Sequence, residues 1–355
     1  MATDLPEPVV PAISRCGMRA RSTITESPPI VLPRQSGSLW VRELGRALVL
    51  AYALRRIVGL VPTLFVLVSL SFFVIRLAPG GPFDQEEKLP AAIRANLDAA
   101  YGLDQPLLVQ YGRYLAGLTR GDLGPSFRYR DFRVTELIAS GLPLSLTIGV
   151  AAAVLAFIAG VPLGAFAAWH PGSLFARAAM SFSLLAVVLP AFVVGPVLAL
   201  VFGIHWRLFR VGGYEPGDPS FLVLPVVTLA LPVGAYVARL TRSSLREVLR
   251  SNFIRTARAK GLTSRVILWR HALRPSLIPV VSYLGPAVAF VITGSLVVES
   301  VFGLPGSGRF LVQGAIDRDY TMVMGMILVY GVFTLLCNLA ADLLHGWLDP
   351  RVRFE

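Results

Sequence analysis

Charge is scarce in this chain. Asp, Glu, Lys and Arg make up 15% of its 355 residues, where soluble domains carry about a quarter. Lysine is nearly absent, represented by Lys88 and Lys260 alone. They are followed by Leu89 and Gly261, so neither closes a glycine-rich loop in Gly-Lys-Ser/Thr. A phosphate-cradling P-loop is thereby excluded, and any ATP chemistry has to come from another polypeptide. Cysteine is limited to Cys16 and Cys337, which excludes a disulfide framework. The four histidines (His170, His205, His271, His345) are scattered without HExxH or CxxC spacing, which argues against a metal centre.

What fills the chain instead is apolar, at 55% of residues. Six stretches, near 57–76, 142–168, 178–204, 221–240, 277–301 and 322–344, approach the roughly 20 residues a helix needs to cross the hydrocarbon. The composition and these runs predict an all-α polytopic membrane protein with six transmembrane helices. Small residues and prolines recur inside the runs: Gly160, Pro162 and Gly164; Pro190, Gly195 and Pro196; Pro279, Gly285 and Pro286. Close helix packing, or breaks that face protein or water, are the roles such residues take in lipid. Ionisable residues keep to the ends of the runs, as Glu299 and Asp342 do. A proton- or sodium-driven carrier would bury acids or histidines at depth. An intramembrane enzyme would need a nucleophile and base converging there. Neither pattern is present, so this chain reads as a translocation protein and not an enzyme.

Net charge is 33 − 21 = +12, which would also suit a nucleic-acid binder, but the charge lies beside the apolar runs. The stretch 239–274 holds ten Lys/Arg against Glu247, 10 − 1 = +9. Residues 41–56 hold Arg42, Arg46, Arg55 and Arg56 against Glu43, whereas 203–220 and 303–321 each carry two Arg and two acids. The positive-inside rule then places both termini and 239–274 in the cytoplasm, with an extended periplasmic loop after the first helix. The organisation expected is a disordered tail at 1–40, rich in Pro, Ser and Thr. The first helix and periplasmic segment follow at 41–141, the transmembrane core at 142–348 with a cytoplasmic loop at 241–274, and a short tail at 349–355. No 7–15-residue apolar core marks a secretory signal in the tail.

The loop itself, "RLTRSSLREVLRSNFIRTARAKGLTSRVILWRHALRP", is more than a charge signal. Helical phase puts Leu245, Leu249, Phe253 and Ala257 on one stripe, with Arg246, Arg250 and Arg258 elsewhere. Gly261 suits a helix C-terminus, with Lys260 near the negative end of the dipole. A second short helical pattern runs to about Arg274 and stops before Pro275. Topology alone needs only a few basic residues, and a nucleic-acid surface would want aromatic interleaving or a recognisable module.

Counting back from Gly261, Arg255, Thr256 and Ala257 occupy the first three places of the Glu-Ala-Ala-three-residues-Gly pattern of ABC importer permeases. The loop resembles their EAA loop. Arg for Glu and Thr for Ala match the peptide and nickel branch, in which "RTARAKG" is typical. The resemblance extends to "RRIVGLVPTLFVLVSLSFFVIRLAPGGPF" (55–83), "YGLDQPLLVQYGRYLAGLTRGDLGPSF" (101–127), "VVESVFGLPGSGRFLVQGAIDRDYTMV" (297–323) and "DPRVRF" (349–354). Together they are similar to the dipeptide/oligopeptide/nickel family, nearest the first membrane (B-type) subunit of oligopeptide permeases, from about residue 54 onward.

The resemblance implies an inner-membrane permease for oligopeptides; dipeptides, nickel or another small solute are the alternative cargo. It implies a heterodimer with a second homologous permease, two cytoplasmic ATPase subunits, an extracytoplasmic peptide-binding protein, and no nucleic acid. No cofactor is expected on this chain, since ATP and Mg would sit on the ATPases. The ATPase-docking residues it implies are Phe253, Arg255, Thr256, Ala257, Arg258, Lys260 and Gly261. Phe253, Thr256, Ala257 and Gly261 would pack in the cleft, with Arg255, Arg258 and Lys260 in charged contact around it. No residue is marked for substrate binding. The segment 77–141 would lie near the binding-protein dock, and "FGLPGSG" (302–308) would make a tight turn at the outer mouth.

Overall fold

The computed structural model describes residues 58–77, 80–83, 90–129 and 131–348. The expected tail at 1–40, the basic flank at 41–56 and the terminal segment 349–355 lie outside the described residues. Within them the chain is helical, and β-structure is confined to an isolated bridge between Pro125 and Arg133.

Five helices are long and apolar enough to cross a membrane: α1 (Val58–Leu77), α4 (Val134–Trp169), α7 (Ser220–Leu249), α12 (Leu284–Val301) and α14, whose apolar span is Tyr320–Leu344 within Tyr320–Leu348. Between α1 and α4 lie α2 (Ala91–Tyr101) and α3 (Leu107–Leu118). The segment 77–141 thus carries two helices, α3 lying in the "YGLDQPLLVQYGRYL" region, and α4 begins at Val134 rather than near 142.

The third expected span is not one straight helix. Residues 174–205 form α5 (Leu174–Val188), α6 (Ala191–Leu198) and a π-helical stretch (Ala199–His205), with a bend of 113° between the two halves. Pro190 is the cause. It has no N–H to continue the ladder and pushes the preceding residue out of helical space; Leu189 is extended at φ −74° and ψ 123°. The count is five spans, or six if the bent pair is one crossing.

The longest packed interface joins α4 to α7, and glycine makes it possible. A Cβ on Gly160 would lie 2.6 Å from the Gly234 carbonyl oxygen, and one on Gly164 would strike the Ala238 carbonyl. Gly234 in turn packs on the backbone of Ala156. In lipid there is no hydrophobic drive between helices, so such close backbone approach, with its dense van der Waals contact, is what binds them. Numbers rise together along both helices, 156 to 164 against 234 to 241, so α4 and α7 run parallel. By the same reading α12 is antiparallel to α4 (Gly149 beside Ile292, Gly141 beside Ser307) and to α14 (Gly285 beside Cys337 and Ala341, Leu296 packed with the cluster of Met322, Met326 and Tyr330). Helix α1 is antiparallel to α14, with Leu67 beside Gly331 and Arg76 beside Met324. The core is apolar, from Ile148, Val233, Val237, Val291 and Val298 to Phe302.

These directions gather α2, α3, the link 119–133 and the segment 302–319, with its short helix α13 (Gly308–Ile316), at one end of the bundle. Two buried acids organise that end. Asp319 accepts from Met322 N (3.1 Å), capping α14, and from Phe127 N (3.0 Å) and Ser126 Oγ, which pins the 126–128 turn. Glu299 accepts from Gly308 N (2.8 Å), while Ser145 Oγ of α4 accepts from Ser307 N (2.8 Å). The "FGLPGSG" turn is thus folded onto a buried carboxylate, and a Cβ on Gly306 would fall on it.

Candidate functional site

The opposite end of the bundle holds the basic loop. Helix α7 ends at Leu249; Arg250 is still in the helical region, but Ser251 is extended at φ −68° and ψ 156°. The Ser251 hydroxyl donates to Val248 O (2.6 Å), closing the end of α7. The short helix α8 (Asn252–Ala259) starts at once. It stops at a Schellman turn: Gly261 N donates to Arg258 O (2.9 Å) and Leu262 N to Ala257 O (3.3 Å). Gly261 has φ +78°, the left-handed conformation that glycine adopts without a Cβ penalty.

After the turn the chain re-enters the bundle through α9 (Ser264–Val266), a π-helical stretch (Ile267–Ala272), α10 (Leu273–Ser276) and α11 (Ile278–Ser282). The second helical segment therefore runs through Pro275 and does not stop before it. Proline lacks the N–H this ladder would use, and the π-helical turns just before it are the kind of local adjustment by which a helix accommodates it.

One face of α8 is anchored. Ile254 (0% exposed) and Ala257 (6%) pack with Leu245, Ala168, Ile267 and Ala272. This corrects two expectations. The single stripe through Leu245, Leu249, Phe253 and Ala257 is interrupted, because the non-helical Ser251 resets the helical phase; Ile254 takes the inward place and Phe253 is turned out, 50% exposed. Ala257, expected at the partner's cleft, is 6% exposed and packs within this chain.

The outward face carries the rest of the expected residues. Phe253, Arg255, Thr256, Arg258, Lys260 and Gly261 are all exposed. Among the described residues the ion pairs lie elsewhere, at Arg128–Asp317, Arg133–Asp122 and Arg210 with Glu215 and Asp218. The basic groups of α8 and its turn therefore keep their charge uncompensated. A Cβ on Gly261 would meet nothing within 4 Å. Further along the same loop Leu262, Val266 and Trp269 are exposed as well, the last 70%, and the sequence pattern did not single them out. Their signal was the apolar "LTSRVILW" in a loop otherwise rich in arginine. The arrangement is a rigid, cationic, partly apolar knob held at the tips of α4 and α7. Among the described residues no group of His, Cys, Asp or Glu is placed to hold a metal ion.

Comparison with known proteins places these features among transport components. A family model described as binding-protein-dependent transport system inner membrane component matches residues 160–354, which include the whole knob. The oligopeptide transport system permease protein OppB of Haemophilus influenzae is 46% identical over 305 residues, 86% of this chain and 100% of that protein. The dipeptide transport system permease protein DppB of Bacillus subtilis is 38% identical over 304 residues, 86% of this chain and 98% of that protein. Among solved structures, the MetNI methionine ABC transporter in an inward-facing conformation aligns over 60% of this chain and 96% of its own, with a TM-score of 0.50 and 19% identity. At that identity it is similar in fold.

Proposed function

Because this chain belongs to the family of binding-protein-dependent transport system inner membrane components, we propose that its α8 knob is where a separate ATPase subunit docks and drives transport. The chain is a membrane permease subunit of an oligopeptide ABC importer, located in the inner membrane. The docking surface we assign comprises Phe253, Arg255, Thr256, Arg258, Lys260 and Gly261, extended by Leu262, Val266 and Trp269; Ala257 is left out because it is buried.

The observation that carries this reading is the two-sidedness of α8. Its inner face is locked to the ends of α4 and α7 through Ile254 and Ala257, and its outer face is exposed and cationic. A push on such a helix is passed to two spans packed backbone to backbone, with little give in between. The α7–α8 junction and the Gly261 turn are the two places where the backbone leaves helical geometry. ATP binding would close the ATPase pair, shift the knob, and turn the path from facing the binding protein to facing the cytoplasm. ATP and Mg belong to those partners, and this chain supplies no cofactor chemistry.

The same reading gives six spans. Parallel α4 and α7 both start from the end that holds α2 and α3, so the chain between them has to return there, and the bent α5–α6 pair is that return. Basic 239–274 puts α8 and both termini on the cytoplasmic side. The end with α2, α3 and the "FGLPGSG" turn then faces the extracytoplasmic binding protein. A second, homologous permease would supply the other half of the path, with two ATPase subunits beneath.

Copurification of the tagged chain with an ATPase, followed by ATP hydrolysis in proteoliposomes with the cognate binding protein, tests both energy entry and cargo. Stimulation by oligopeptide-loaded binding protein is expected. Stimulation by dipeptide, nickel or another small solute alone would replace the cargo, the dipeptide relative making the first the nearer alternative. Copurification and stimulation that survive charge removal at Arg255, Arg258 and Lys260 together with Phe253→Ala would sink the docking assignment.

A further inference from the structure

At the end of the bundle remote from α8, a cavity of about 340 Å³ opens between the end of α1, the α2–α3 turn, α3 and the start of α14. Its lining concentrates positive charge: Arg76, Arg113 and Arg120 against Asp122. That acid is already engaged, since Arg133 Nη1 donates to its Oδ2 at 2.9 Å. The Arg76 guanidinium lies 3.6 Å over the Phe72 ring, and its Nε donates to Gln110 Oε1 (3.3 Å). Among the described residues no carboxylate pairs with Arg76, Arg113 or Arg120. The Tyr114 hydroxyl on the same wall is buried without a hydrogen-bond partner among the described residues.

The level of this cavity relative to the membrane follows from α3. Tyr111 of α3 shares a hydrogen bond with Ser69 of α1 (2.5 Å), about 12 Å along the helix from Leu77 at 1.5 Å per residue. Helix α3 therefore lies against the last turns of α1, where Val74 and Leu77 face outward. Leu107, Leu108 and Val109, on the first turn of α3, are also exposed, and α3 fully buries none of its residues. Exposed apolar side chains around a cationic, aromatic-walled cleft at the end of a span describe the headgroup level of a bilayer.

We propose that this cavity binds the phosphodiester headgroup of an anionic phospholipid. Guanidinium groups pair with phosphate oxygens in bidentate geometry, the unpartnered Tyr114 hydroxyl offers a further polar contact, and the acyl chains would lie along the exposed faces of α1 and α3. A free phosphate ion would use the same cations but none of the apolar surround. The site would fix α3 to the bilayer, independently of the ATPase docking proposed above.

The test uses the full-length chain with its copurifying subunits in phosphatidylcholine nanodiscs titrated with phosphatidylglycerol, with bound lipid counted by native mass spectrometry. Charge near a membrane surface is worth about fivefold in affinity per arginine. Arg120→Gln should therefore weaken phosphatidylglycerol retention about fivefold, and Arg113→Gln with Arg120→Gln about 25-fold. Adding Arg76→Gln should bring the loss to about a hundredfold. Arg210→Gln, outside the cavity, should change nothing. The exposed Arg113/Arg120 pair keeps the test decisive if the Arg76 variant does not fold. Equal retention by wild type and the double variant overturns the proposal, as does displacement of the lipid by inorganic phosphate at matched concentration. Unchanged lipid affinity with weakened capture of the extracytoplasmic binding protein would assign the arginines to a protein carboxylate instead, and overturn it too.

Discussion

Replacing Gly261 separates what this residue does for its own chain from what it does for a partner. Its φ of +78° costs a residue with a Cβ about 1–2 kcal/mol, and nothing lies within 4 Å of the Cβ that alanine would add. In this chain alone the penalty is therefore confined to the Schellman turn, and the helical core, remote from it, is untouched. Gly261→Ala should lower thermal stability by a few degrees at most and leave the protein in the membrane. The open space around Gly261 has a different meaning if an ATPase fills it, because any side chain then obstructs docking. Gly261→Asn distinguishes the two effects. Asparagine tolerates left-handed backbone, so it removes most of the strain but adds more volume than alanine.

The assay is ATP-driven peptide uptake in proteoliposomes, read alongside ATP hydrolysis and ATPase copurification. The expected order of uptake is wild type, then Ala, then Asn, then Trp, with Gly261→Trp below about a tenth of wild type and present at normal levels in the membrane. Recovery of uptake in Asn relative to Ala would show that backbone strain, and not partner contact, is the limiting effect. Normal uptake by Gly261→Trp would refute the reasoning altogether, since the space would then be empty in the working transporter.

The two faces of α8 should fail in different ways. Ile254→Ala removes a fully buried side chain and should cost about 2–4 kcal/mol, seen as a lower unfolding temperature together with reduced uptake. Phe253→Ala, on the exposed face, should leave thermal stability within about 0.5 kcal/mol of wild type while weakening ATPase copurification; a thermal loss equal to that of Ile254→Ala would mean the faces are misassigned. At the α4–α7 interface, Gly164→Leu would drive a side chain into the Ala238 carbonyl. Overpacking of at least about 1–3 kcal/mol should reduce the yield of folded protein by gel filtration, whereas Gly172→Leu, with open space around it, should not.

Much of this molecule was legible in residue order. Apolar runs of the length of a bilayer located α1, α4, α7, α12 and α14, because in hydrocarbon every backbone N–H and C=O has to be satisfied within the segment. Pro190 lay inside the one run that turned out bent, although composition could not say whether it would kink or break the helix. The stop of α8 was readable from Gly261, since a Schellman turn asks for that residue type locally.

The facing of α8 was not readable in the same way. A periodicity carried across 250–251 put Phe253 on one stripe with Leu245, but Ser251 leaves the helix to bond back to Val248, and that single extended residue rotates everything after it. Tertiary packing alone chose Ile254 and Ala257 as the anchor. Parallel α4 and α7 also came from three-dimensional contact, through glycines whose partners lie about seventy residues away in numbering. Sequence by itself located the segments apolar enough to enter a membrane and some of the places where the chain turns, because those are local questions of solvation and backbone geometry. Only the folded structure decided which faces meet, which charges stay unpaired, and which side of the α8 knob is free, because those depend on atoms the chain brings together from far apart.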